Sequence, residues 1–295
     1  MKKIVILFIT IVLLLSGCTP ILNGGEDDKL NIVTTIFPIY DFVRAIGGDF
    51  VEIKLLVDPG TEVHSYDPSP SDITAIYDAD LFFYIGGESE KWVETILSDT
   101  DVDAIRLMES VCVLAEAHHD EIDEHIWTSP ENAVLMLNKI LESISIKDKK
   151  NSKTYKSNYE IYSNEIKKLD YKFKEIVDKS ENKFILVADR FPFEYFTHYY
   201  GIKYDAAFDG CAISTDISIK TMNRLVKVIK DKNIDSVFCV EMSNKNIANA
   251  LSEELGIKIF ELHSAHNVSK KDYENNVTYV DIMKRNLKSL ERGIN

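Results

Sequence analysis

One stretch limits the fold of this chain more than any other. Between Ser152 and Lys179, Tyr155, Tyr159, Tyr162, Ile166, Leu169, Phe173 and Ile176 recur at alternating steps of four and three, with no glycine or proline between them. Such a stripe is one face of a single helix. At about 1.5 Å per residue it runs roughly 40 Å, long enough to separate two lobes. On each side of it, short apolar runs alternate with amphipathic segments. Residues 30–35, 51–57, 81–85 and 104–107 read as strands before it, and 184–188, 203–207, 236–240 and 257–262 after it. The continuous apolar runs suit parallel strands covered on both faces. The expected class is therefore α/β: two lobes, each a mainly parallel sheet flanked by helices, joined by one long rigid helix. The expected boundaries are 30–150, 151–181 and 182–295.

Residues 1–29 are expected to lie outside this fold. Lys2 and Lys3 precede an apolar run over residues 4–15, too short for a membrane span and suited to a signal peptide covering residues 1–17. Leu15-Ser16-Gly17-Cys18 resembles a bacterial lipobox, which implies lipidation of Cys18, with residues 18–29 as a tether. The net charge of −14, from 34 basic and 48 acidic residues, argues against nucleic acid as a partner. Cys112, Cys211 and Cys239 show no C-x-x-C spacing, which argues against a cysteine-built zinc or redox motif. Cys239 is expected to be buried, and a Cys112–Cys211 pairing stays open.

The chemistry gathers where strands end. His64 sits in the loop 62–72, stiffened by Pro68 and Pro70 and closed by a helix start at Ser69-Pro70-Ser71-Asp72. Asp189, Glu241 and His263 each follow a strand, and His125 precedes a helix. In open α/β sheets, ligands bind beyond the carboxyl ends of the strands. Three imidazoles and a carboxylate suit Zn²⁺, although imidazole sites also accept Mn²⁺, Ni²⁺ or Cu²⁺. His266 could replace His263, Glu241 could orient a ligand, and His118 and His119 could capture a cation weakly. His198 is expected to be structural.

Four segments carry a resemblance. Residues 33–42 (VTTIFPIYDF) with 62–72 (EVHSYDPSPSD), and 123–133 (DEHIWTSPENA), look like the metal-binding lipoproteins of bacterial zinc and manganese ABC importers. Residues 279–287 (YVDIMKRNL) resemble the family's C-terminal helix. The resemblance implies two α/β lobes joined by a long helix, with the metal in the cleft between them. It implies an extracytoplasmic, lipid-anchored, monomeric protein that hands Zn²⁺, or alternatively Mn²⁺, to an ABC permease, without catalysis. Carried over, it makes His64 and His125 ligands and puts His263 at the fourth position. At the third, Arg190 stands where the family has His or Glu. Arginine has no free lone pair, so Asp189 is taken as the replacement, with Glu241 or no protein group as the alternatives.

Two other readings compete. A zinc hydrolase would keep an open metal position for water; the chain has no H-E-x-x-H, and Glu241 is the one base worth naming. A surface adhesin has no specific sequence support.

Overall fold

The computed structural model describes residues 29–114, 122–208, 210 and 218–294. The expected signal peptide, Cys18, His118, His119 and Cys211 lie outside the described residues. Among those described, no helix is long and apolar enough to cross a membrane.

The first sheet joins β1 (Leu30–Thr34), β2 (Val51–Leu55), β3 (Leu81–Tyr84) and β4 (Ala104–Arg106) in the order β2-β1-β3-β4. All its pairings are parallel, with Leu30 opposite Val51 and Ile32 opposite Leu81. The second repeats this plan with β5 (Phe184–Val187), β6 (Lys203–Ala206), β7 (Ser236–Cys239) and β8 (Lys258–Glu261), ordered β6-β5-β7-β8. β3, β5 and β7 are buried at every position, as parallel strands covered on both faces must be. Each sheet changes direction of winding beside its first strand, between β1 and β3 and between β5 and β7. A doubly wound sheet opens its ligand crevice at that point.

Helix ends follow local chemistry. Ser69 and Asp72 form a capping box ahead of the helix Pro70–Tyr77, and Pro70 takes a first-turn position where its missing N–H costs nothing. Thr278 and Asp281 do the same for Tyr279–Gly293. At its other end that helix lies so close to the second sheet that a Cβ on Gly293 would come within 2.6 Å of Phe238 and Phe260.

The long helix is Ser152–Lys179, and it is more than a strut. It packs against the helices Phe37–Gly47, Pro130–Lys147 and Tyr279–Gly293. Tyr155, Ile166, Leu169, Phe173 and Val177 are buried, whereas Ile176 is only partly so. The last step of the stripe is four rather than three, because an ideal helix drifts roughly 20° per seven residues against a 3.5 repeat.

The two lobes share a core. One continuous apolar cluster includes Ile32, Phe42 and Trp127 as well as Ile185, Phe238 and Leu290. Polar ties cross at the same level. Trp127 Nε1 donates to Ser264 O at 2.8 Å, Tyr279 Oη donates to Trp127 O at 2.7 Å, and the Asn267 amide donates to Asp58 O and Thr61 O at 2.9 Å each.

Candidate metal centre

The loop after β2 brings His64 to the cleft. The two Asn267 bonds hold its backbone from the second lobe. His64 Nδ1 lies 2.9 Å from Glu62 Oε1. With Nδ1–H donated to that carboxylate, a neutral ring presents its lone pair on Nε2.

His125 is arranged the same way. It stands just before the short 3₁₀ turn Ile126–Thr128 and is 1% exposed. Asp123 Oδ1 accepts its backbone N–H at 2.7 Å and lies 3.0 Å from its Nδ1. Thr128 Oγ1 donates to the His125 carbonyl at 2.8 Å, which closes the turn. Again the nitrogen that meets the carboxylate is Nδ1.

The third imidazole comes from the loop after β8. It is His266, whose backbone N–H donates to Ser264 Oγ at 3.1 Å after a left-handed residue at Ala265 (φ 60°). Its ring centroid is 5.0 Å from that of His64 and 5.2 Å from that of His125, and Trp127 backs it at 4.8 Å. One nitrogen from each of His64, His125 and His266 lies within 4.8 Å of the others. Burial, then the neighbouring His125 and His64 and the Arg190 charge, hold the His266 pKa well below its ordinary value. The ring is therefore neutral at physiological pH, the form that binds metals.

The other sequence-derived candidates are placed differently. His263 is not gathered with His64 and His125; His266 takes that place. His263 Nδ1 accepts the Ala265 N–H at 2.9 Å, and its backbone exchanges two 2.8 Å bonds with the Asn286 side chain. That makes His263 a support for the loop that carries His266. Asp189 Oδ1 accepts the Arg190 N–H at 2.9 Å, while its buried Oδ2 accepts no hydrogen bond. Asp189 is not within the imidazole group. Arg190 Nη1 reaches both oxygens of Glu62, at 3.3 and 3.2 Å. Glu241 does not orient an imidazole ring by hydrogen bond. It accepts Ser264 N at 2.7 Å and Ser264 Oγ, and its Oε1 is 3.7 Å from His263 Nδ1. His198 is exposed, and Cys239 is buried with its thiol pushed up to about 11 by burial.

Sequence reasoning passed over Glu62 and Asp123. The signal was present: each is an acid two residues before a histidine, and each bonds to that ring's Nδ1. The mouth of the site is an opening of about 350 Å³, continuous with solvent, lined by Thr61, Glu62, His64, Arg190, Glu241 and His266 among others.

Residues 32–293 match the sequence model of a family described as ZnuA, zinc-uptake complex component A, periplasmic. The zinc-binding lipoprotein AdcA of Streptococcus pneumoniae is 30% identical over 99% of this chain. The chain spans only 61% of that relative's length. The high-affinity zinc uptake system protein ZnuA of Bacillus subtilis is 27% identical over 92% of this chain and 89% of its own length. Among solved structures, the Zn(II)-bound ZnuA-like domain of the pneumococcal AdcA superposes with a TM-score of 0.79 at 29% identity, covering 90% of this chain and 99% of that domain. The metal-dependent lipoprotein YcdH of Bacillus subtilis gives 0.81 at 28% identity, over 90% and 100%.

Proposed function

The chain belongs to the ZnuA family, and from that premise we propose that it captures Zn²⁺ outside the cytoplasmic membrane and delivers it to an ABC permease. Residues 1–17 are the signal peptide, Cys18 carries the lipid anchor, and residues 18–29 tether a monomer made of lobes 30–150 and 182–295 with the helix 151–181 between them. The relatives are named for zinc binding and zinc uptake, and the role proposed here is binding and delivery rather than catalysis.

The observation that carries this reading is the triad His64, His125 and His266, with a nitrogen of each within 4.8 Å of the others. Donors at that spacing can close on one ion with Zn–N distances near 2.0–2.1 Å after small side-chain adjustments. Nitrogen donors favour zinc over manganese, which prefers oxygen. Glu62 and Asp123 raise the basicity of their rings and fix the orientation of each. Two of the three imidazoles come from the first lobe and one from the second, so an ion between them ties the lobes together. Because the lobes already share a core, closing and release need only small movements of the site loops.

The test is a competition titration of the purified protein against a chromophoric zinc chelator. One ion per chain is expected, with binding lost in His64→Ala and His125→Ala, weakened at least tenfold in His266→Ala, and largely kept in His263→Ala. Equal affinity in the parent and the three triad variants would overturn the site. Delivery is tested by deleting the gene in its host. Growth that needs added zinc, restored by the parent but not by His125→Ala, is the expected result.

A further inference from the structure

Resting on the zinc reading, we propose that Glu124 supplies the fourth ligand of the ion through Oε1. Three imidazoles leave one tetrahedral position open, and a carboxylate there offsets part of the cost of burying a dication. Glu124 directly precedes His125 and is 7% exposed. Its Oε1 lies 3.6 Å from His64 Nε2, the ring nitrogen opposite the one that meets Glu62. That is too long for a hydrogen bond. It is close to the roughly 3.4 Å that separates two ligand atoms sharing one tetrahedral ion at about 2.1 Å.

The carboxylate is held there by the rest of the first lobe. Ser89 N–H donates to Oε2 at 3.0 Å, which fixes the plane of the group and leaves Oε1 towards His64. Gly87 makes the position possible: a Cβ on it would meet Glu124 Oε2 at 2.3 Å and Glu124 Cβ at 2.4 Å. The other acids near the cleft are engaged elsewhere. Glu62 serves His64 Nδ1 and Arg190. Both oxygens of Glu241 are held by Ser264. Among the described residues, Asp189 and Asp123, each with a buried Oδ2 that accepts no hydrogen bond, are the competitors, and Asp123 already serves His125 through Oδ1. With Glu124 as a ligand, three of four come from the first lobe. His266 then closes the site, and its withdrawal opens it.

The experiment compares the parent with Glu124→Gln, Glu124→Asp, Asp189→Asn and His125→Ala, by zinc competition and by the visible absorption of the Co²⁺-substituted protein. Thermal melting of the metal-free forms checks that each is folded. Expected are a loss of zinc affinity of about thirtyfold or more for Glu124→Gln, an intermediate loss for Glu124→Asp, a change under about threefold for Asp189→Asn, and a weaker, shifted Co²⁺ band for Glu124→Gln but not for Asp189→Asn. A Co²⁺ band unchanged in Glu124→Gln overturns the proposal even if affinity falls, because charge alone would then explain the fall. A shifted band in Asp189→Asn overturns it in favour of Asp189. If the parent binds no zinc, or His125→Ala binds as well as the parent, it is the zinc reading that fails.

Discussion

Arg190 Nη1 faces Glu62 across the mouth of the cleft, 3.3 and 3.2 Å from its two carboxylate oxygens, while Glu62 Oε1 stands 2.9 Å from His64 Nδ1. A cation of the second lobe thus reaches the first through the acid that orients a triad imidazole. The hydrogen bond to His64 first, and the Arg190 charge behind it, hold the Glu62 carboxyl down to about 2.

This pair should act on release more than on capture. Its side chains are 25% and 47% exposed, so it contributes on the order of 0.5 kcal/mol. Arg190→Gln should speed zinc release about two- to threefold, with the difference shrinking as salt is raised. Stopped-flow release into excess chelator at low and high salt reads this directly. A rate change that is insensitive to salt would show that Arg190 acts by packing instead.

Asp123 should matter more. It is fully buried and serves two donors of His125. Asp123→Ala frees the ring to rotate and leaves a buried N–H without its acceptor. A loss of 10–100-fold in zinc affinity is expected, with a fall of roughly 1–3 kcal/mol in the stability of the metal-free protein. Zinc competition and urea unfolding give the two values. Unchanged zinc affinity would remove Asp123 from the site.

Asp41 ties three elements of the shared core. One oxygen takes Arg44 Nη2 at 2.6 Å; the other accepts Tyr279 N–H at 2.8 Å and the Tyr162 hydroxyl. Burial pushes its pKa up against the pull of Arg44. Asp41→Ala leaves those donors uncompensated, and a loss of about 3 kcal/mol in urea unfolding is expected. A loss under about 1 kcal/mol would mean that the apolar cluster alone holds the lobes together.

Much of this architecture was legible because strand and helix periods differ and the long stripe has no breaker. β3, β5 and β7 were readable as apolar runs, and Ser69-Pro70 as a helix start. Less legible was the third imidazole. His263 and His266 share a loop, and which one faces the cleft depends on the left-handed turn at Ala265 and on Asn286, some twenty residues along the chain. The shared core was also hidden. Helical periodicity shows which face of the long helix is apolar, not that helices from both ends of the chain cover it.

Glu90 gives a prediction about pH. Its side chain lies beneath the Gly86-Gly87 turn, with Oε2 accepting the Gly86 N–H at 2.7 Å. Burial is the main cause that raises its pKa from 4.5 to about 7, and the nearby Glu124 charge adds to it. A raised carboxyl stabilises the fold while protonated. Between about pH 4.5 and about pH 7 the unfolded chain has released a proton that the folded chain keeps, so stability falls as pH rises through that window. At about 1.4 kcal/mol per unit, the fall reaches up to roughly 3 kcal/mol. Glu90→Gln keeps the acceptor and cannot ionise. In metal-free protein the variant should match the parent near pH 4.5 and exceed it by about 2–3 kcal/mol near pH 8. Urea unfolding of both proteins at the two pH values measures this, with chelator present so that zinc binding does not add its own pH dependence. Parallel pH profiles would show that Glu90 titrates alike in the folded and the unfolded protein.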